Sequence, residues 1–204
     1  MKRKKEIVIF MILIPLLLFS FLRLGEYRFS AEGIFYAYER GLGYGPSEKI
    51  LGEYELAEGG KLILGKWEGN LSAVTVKRAF GVLWKKMNDG IAGCYSRNKV
   101  VSAYTFNEGE IMGLSLNPEI REVYCRIEYG DFENPSIQEV TLPVNHDGLI
   151  WGEWEYQDNE DVYQDIAYLE GRNSDGEVIY RDGMTDEGIY YNDGTANKNV
   201  GKRE

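Results

Sequence analysis

The stretch "DIAYLEGRNSDGEVIYRD" (Asp165–Asp182) reads as two extended runs joined at Asp175-Gly176. Asp-Gly between segments rich in Ile, Tyr and Val is a strong short-range hairpin signal, because glycine takes the positive φ such turns need. A hairpin here points to antiparallel sheet, and the preceding segments repeat its logic. "REVYCRIEYG" sets Val123, Cys125, Ile127 and Tyr129 on one face. "SIQEVTLPV" aligns Val140, Leu142 and Val144, and "GLIWGEWEY" aligns Ile150, Trp154 and Tyr156. Strands of this length and spacing predict an antiparallel, sandwich-like (Ig-like) β region over 118–191. The final "YNDGTANKNVGKRE" has little to bury and predicts a disordered tail over 192–204.

Towards the amino terminus the same pairing recurs. "NKVVSAYTF" and "EIMGLSL" flank Asn107-Glu108-Gly109, and "KILGEYEL" and "KLILGKWEG" flank Ala57-Glu58-Gly59-Gly60. "LSAVTVKRAFGVLWKKMNDG" fits a helical stripe (Val76, Phe80, Leu83, Met87) as well as strand alternation; its β-branched cluster and Gly81 favour strands. Ser30 is a good N-cap, and Ile34, Phe35, Tyr38 and Leu42 follow at helical spacing. These predict a helix over 31–40 with Gly41 as its left-handed C′ residue. The glycines at 41, 43 and 45 therefore come after a helix and before a strand. A phosphate loop runs the other way and ends in Lys-Ser/Thr, so this loop is punctuation. The expectation is an α+β, mostly β chain, with a short helix packed on antiparallel strands over 25–117 and a boundary at Asn117-Pro118.

The first 24 residues form a separate text. Lys2, Arg3, Lys4 and Lys5 precede an apolar run from Ile7 to Leu22. As a helix that run reaches roughly 24 Å, against a ~30 Å hydrocarbon core, and Leu24 with the stem of Arg23 closes much of the gap. A cleaved signal peptide needs small residues after the run; Leu22-Arg23-Leu24 has none and Phe29-Ser30-Ala31 is a poor substitute. The reading is an uncleaved transmembrane signal-anchor over 1–24, contacting the membrane through 7–24, with a cytoplasmic amino terminus and an extracytoplasmic remainder. Of the chain's 23 Lys+Arg and 33 Asp+Glu, removing Lys2, Arg3, Lys4, Lys5, Arg23 and Glu6 leaves 18 against 32, a net −14. Such an ectodomain repels nucleic acid and suits a cation or a basic protein partner.

Catalytic constellations are thin. His146 is the sole histidine and stands in "VNHDG", a turn context, with no nucleophile elbow in the chain. Cys94 and Cys125 either form a disulfide, closing a loop of about 30 residues for roughly 3–4 kcal/mol, or are two buried free thiols. Their spacing is not that of a redox C-x-x-C pair. Glu153, Glu155, Asp158, Glu160, Asp161 and Asp165 crowd one segment beside Trp151 and Trp154. Hard oxygens at that density are candidate Ca²⁺ ligands, chiefly Glu153, Glu155, Asp158, Glu160 and Asp161, although the spacing departs from an EF-hand. Two of the carboxylates ~5–9.5 Å apart in a sugar-lined cleft would serve glycoside hydrolysis. A solvated acidic loop and strand aromatics buried in a core are the simpler assignments.

The basic-flanked anchor, the short helix, the turn Tyr44-Gly45-Pro46-Ser47 and the late hairpin "GRNSDGEVIY" together resemble the layout of uncharacterised small single-pass membrane-anchored surface proteins of Gram-positive bacteria. The resemblance implies placement at the cell surface and brings no catalytic residue with it. The functional expectation is a membrane-tethered extracytoplasmic protein acting as a non-catalytic binding, sensing or envelope-assembly module, the alternative being a surface hydrolase using carboxylates of 153–165.

Overall fold

The computed structural model describes residues 2–56, 59–88, 90–95, 99–106, 109–131, 134–155, 163–192 and 195–197, with side chains left out at 2–8, 10 and 195–197. The described residues form a mostly β, α+β chain with two helices and antiparallel sheets. It divides into two compact units, Met1–Tyr95 and Ser96–Glu204, so the division precedes the Asn117-Pro118 break expected from sequence.

The first unit begins with α1 (Lys2–Leu24), which contains Pro15. Ile9, Met11, Ile12, Leu13, Ile14, Leu16, Leu17, Leu18, Phe19, Phe21 and Leu24 are all exposed on it. Among the described residues no helix is long and apolar enough to cross a membrane. The helix α2 (Ala31–Leu42) starts as its sequence dictates: Ser30 is extended and its Oγ accepts from the Gly33 N–H at 3.0 Å. It ends two residues later than expected. Gly43, not Gly41, takes the left-handed conformation (φ 84°), donating to the Arg40 carbonyl while the Tyr44 N–H reaches the Glu39 carbonyl at 3.1 Å. That pair of bonds is a Schellman cap, which satisfies the last carbonyls only with Gly43 as the reversing residue.

Beyond α2 a sheet forms from β1 (Lys49–Glu55), β2 (Gly60–Trp67), β3 (Asn70–Ala79) and β4 (Leu83–Lys86), with β5 (Ala92–Tyr95) also pairing with β3. The ambiguous stretch is therefore two antiparallel strands, joined through Phe80, Gly81 and Val82. Ala31, Ile34 and Phe35 of α2 pack on Ile63, Val74 and Val76 of the sheet. Gly65 admits this approach, since a Cβ there would stand 2.6 Å from Phe35 Cζ and 2.6 Å from Ser47 Oγ. The glycine-rich loop folds around a carboxylate. Glu39 is wholly buried, its Oε2 accepting from the Ser47 N–H at 2.9 Å and its Oε1 from the Ser47 hydroxyl at 2.5 Å, next to a cis Gly45-Pro46 bond.

The second unit holds two antiparallel sheets. The smaller orders β10 (Leu149–Glu153), β7 (Glu110–Ser115) and β6 (Val101–Phe106). The larger orders β14 (Thr195–Asn197), β13 (Tyr190–Asn192), β12 (Val178–Met184), β11 (Tyr163–Arg172), β8 (Glu122–Asp131) and β9 (Asn134–Pro143). The strand β14 corrects the expected tail: within 192–204, Thr195–Asn197 pairs with β13, and 198–204 lies outside the described residues. Both sheets feed one core, with Val101, Ala103, Ile111 and Ile150 from the smaller and Val123, Cys125, Ile127, Leu142 and Leu169 from the larger. The Tyr180 hydroxyl adds a 3.5 Å contact to the Val101 carbonyl. The quoted hairpin is β11–β12. Its turn is closed by Asn173, whose Oδ1 accepts from the N–H groups of Asp175 and Glu177, and Gly176 takes φ 79°.

Replacing Glu39 with Ala leaves both Ser47 donors without their buried acceptor. The expected outcome is a loss of about 2–4 kcal/mol, read as a lower urea midpoint at unchanged slope in equilibrium unfolding of the full chain. A midpoint within error of the parent would refute the loop's dependence on that carboxylate.

Candidate anion-binding cleft

The period-2 alternation that buries Val123, Cys125 and Ile127 sends Tyr124 and Arg126 to the opposite face of β8. Strand β11 lies antiparallel beside it, with Arg126 opposite Tyr168 and Tyr124 opposite Glu170. On its far side β11 pairs with β12, setting Glu170 opposite Arg181 and Tyr168 opposite Gly183. Gly183 has φ 90°, and a Cβ there would come 2.1 Å from the Ala167 carbonyl oxygen, so only glycine lets the two strands close. Tyr191 of β13 completes the wall. The result is a cleft of about 500 Å³ lined by Tyr124, Arg126, Tyr168, Glu170, Arg172 and Arg181, with the 185–189 turn at its rim.

Glu170 organises the centre. Its Oε2 accepts from Arg172 through Nη2 at 2.8 Å and Nε at 3.2 Å, and its Oε1 accepts from the Tyr168 hydroxyl at 2.9 Å. Arg181 Nε lies 3.5 Å from the same Oε1, an ion pair without a hydrogen bond. Burial opposes ionisation of Glu170, but the hydrogen bonds from Arg172 and Tyr168 and the charges of Arg172 and Arg181 outweigh it and hold the carboxyl below its usual range. The tyrosines shift the other way. Burial, then the Glu139 hydrogen bond and nearby acidic charges, pushes Tyr124 up to about 12, and burial with the Glu170 bond raises Tyr168 as well. Both phenols are therefore neutral donors in ordinary solution.

The guanidinium planes are held in place by rings. Arg172 sits 5.1 Å over Tyr124 and Arg181 5.5 Å over Tyr191. Arg126 pairs with Asp186 through Nη1, while Nη2 is 3.5 Å from Glu128. Asp186 belongs to the rim turn, its side chain 75% exposed against 12% for Arg126. Among the described residues of the cleft two donors find no acceptor: the buried Nε–H groups of Arg126 and Arg181. Buried donors are ordinarily satisfied, and an unsatisfied one costs about 1–3 kcal/mol. The cleft thus sets two unmatched donors beside the carboxylates of Glu170, Asp186 and Glu187, and that unmatched pair suits a group carrying anionic oxygens.

The residues singled out from sequence lie elsewhere. His146 is an exposed turn residue, its Nε2 3.1 Å from Asp147. Cys94, half-buried in the first unit, and Cys125, buried in the second, are both free thiols. Burial pushes the Cys125 thiol up to about 12 and, with the charge of Glu39, raises Cys94, so neither is a thiolate at neutral pH. Glu153, Glu155 and Asp165 are exposed, whereas Asp158, Glu160 and Asp161 fall outside the described residues. Among the described residues no group of three or more His, Cys, Asp or Glu is placed to hold a metal ion. Trp154 is buried in the core, 5.2 Å from Tyr129, and Trp151 is half-buried on β10. The sequence reading missed the arginines. Their signal was available within the quoted hairpin, where Glu170 and Arg172 alternate on one strand and Arg181 returns on the other; the pairing with Arg126 is non-local.

Compared with known proteins, the chain matches no family model, no curated protein and no solved structure.

Glu170→Gln tests the centre of the cleft. A carboxyl with a depressed folded-state pKa stabilises above its unfolded value, and that contribution fades as pH falls through the lower folded value. The variant should be less stable by about 1–3 kcal/mol at pH 7, and the gap should close as pH drops below the ordinary carboxylate value of 4.5. Melting curves of both proteins across this range decide it; a gap independent of pH would contradict the charged network.

Proposed function

We propose that the chain is a membrane-tethered extracytoplasmic binding module, non-catalytic, whose second unit captures an anionic group through Arg126, Arg172 and Arg181. One observation carries the binding reading: two buried guanidinium Nε–H donors lie without acceptors in one cleft. Their partners would be the oxygens of a phosphate, sulfate or carboxylate. Arginines held by tyrosine rings and Glu170 lose little freedom on binding such a group, so less of the interaction is spent on ordering. The lining is charge-balanced, Arg126, Arg172 and Arg181 against Glu170, Asp186 and Glu187, within a chain of net charge −10, so an anion is favoured only where the guanidinium groups converge.

Although no described helix is long and apolar enough to cross a membrane, the tether is read from the surface of α1. Eleven large apolar side chains stand exposed along it, more than a water-facing helix carries without a covering phase. The basic cluster at Lys2–Lys5 orients its start to the cytoplasm. The scaffold of the second unit is read as sandwich-like, its two sheets closing on a shared core and leaving the outer face of the larger sheet for the ligand. The surface-hydrolase alternative has less behind it, because Trp154, which would have walled a sugar cleft beside the 153–165 carboxylates, belongs to the core.

Titration of the full chain in lipid nanodiscs with inorganic phosphate, followed by calorimetry, tests the cleft. Saturable binding is expected, weakened roughly 10- to 100-fold in Arg126→Gln and in Arg181→Gln, the equivalent of a lost charged hydrogen bond. Binding that both variants retain at parental strength would refute the assignment.

A further inference from the structure

A second surface lies where α1 meets the sheet of the first unit. Gly25 and Tyr27 donate back to the Phe21 and Leu22 carbonyls, at 3.0 and 2.9 Å. One residue on, Arg28 exchanges two backbone hydrogen bonds with Trp84 of β4, at 2.9 and 2.7 Å. The chain leaving α1 is therefore sewn to the edge of the sheet, and the β3–β4 hairpin sits beside the last turn of the helix. Its tip confirms the adjacency. The Phe80 ring lies 5.9 Å from Phe21 and 5.6 Å from Tyr27, and Phe21 stacks on Tyr27 at 5.2 Å.

That tip is unusual in two respects. Phe80 has φ 50°, a conformation costly for a bulky residue, and it holds its side chain 71% exposed, as is Val82. Leu24 and Phe29 are exposed alongside at 86% and 71%. Around this apolar group the charge is positive: from Asn70 to Lys86 the chain carries Lys77, Arg78, Lys85 and Lys86 and no acidic residue, within a protein of net charge −10. Arg23 and Arg28 add to it, and Glu26 is the one acid in the 23–29 segment, engaged by the Tyr38 hydroxyl at 2.5 Å. Arg78 rests 5.1 Å over Trp84. Aromatic rings with basic side chains around a protruding apolar tip are what the headgroup region of a bilayer accommodates.

We infer that the β3–β4 tip, Phe80-Gly81-Val82, is a lipid-contacting wedge that docks the first unit onto the surface of the membrane α1 enters. The apolar tip and Phe29 enter the interface, and Lys77, Arg78, Lys85 and Arg28 meet anionic headgroups. This rests on the reading of α1 as an anchor and extends it: the unit is fixed against the bilayer instead of swinging on a flexible stalk. Continuity of the tip with the last turn of α1 and the local reversal of charge both favour lipid over a protein partner.

The test uses the full chain in phosphatidylglycerol-rich and in pure phosphatidylcholine nanodiscs, carrying a nitroxide at Val82→Cys with Cys94→Ser; Cys125 is fully buried and stays unlabelled. Insertion of α1 is scored separately by resistance to alkaline carbonate extraction. The inference expects stronger relaxation of the label by oxygen than by a water-soluble nickel chelate, more so in the anionic discs, with the order reversed by Phe80→Asp. A carbonate-resistant chain whose label stays in water overturns the wedge and spares the anchor. A chain extracted by carbonate overturns both. Spin–spin broadening between labels, the same in either lipid, would overturn lipid contact in favour of contact between copies.

Discussion

The site in the second unit depends on one non-local constraint, the antiparallel pairing of β11 with β8. The hairpins on either side are local, each closed by its own turn. This pairing is not: the chain leaves the larger sheet after β9, contributes β10 to the smaller one, and returns to lay β11 along the free edge of β8. A register shift between Ile166 and Tyr168 then sets Arg126 opposite Tyr168 and Tyr124 opposite Glu170. With period-2 alternation a one-residue slip would exchange the core and cleft faces entirely. Burial of Val123, Cys125, Ile127 and Leu169 on the inner face opposes that slip, so the hydrophobic core is what aims the arginines.

Electrostatics within the cleft follow from this placement. One half-buried carboxylate, Glu170, stands between two guanidinium groups, and a third guanidinium is met by an aspartate on an exposed turn. The central carboxylate is largely shielded and the rim one is not, the Glu170 side chain being 14% exposed and that of Asp186 75%. An incoming anion would compete with Asp186 for Arg126 at small cost, whereas displacing Glu170 would strand a half-buried charge. Capture and release of a bound anion would thus fall to the rim and its orientation to the centre.

Much of the fold was legible because its determinants are local. The Asn173–Glu177 turn, the strand alternation at Val123–Ile127 and the Ser30 cap all act within a few residues, and each formed where expected. The end of α2 was misplaced because Gly41 and Gly43 are equally able to reverse a chain; the buried Glu39 carboxylate reaching Ser47 lies eight residues away, beyond what a local pattern records. The same limit hid the cleft. The clustered acids of 153–165 are close in sequence, whereas Arg126 meets the Arg172–Arg181 hairpin through strand pairing across tens of positions. The boundary between units moved for a like reason, since β7 pairs with both β6 and β10 and the three strands share one core, which places them with the second unit.

Arginine Nε–Hε resonances report directly on the two donors that carry the functional reading. In selectively observed spectra of the full chain, inorganic phosphate should move the Arg126 and Arg181 Nε–Hε signals saturably and together, leaving Arg78, in the other unit, in place. Signals of Arg126 and Arg181 that stay fixed while phosphate binds elsewhere, or does not bind, would contradict the cleft as an anion site.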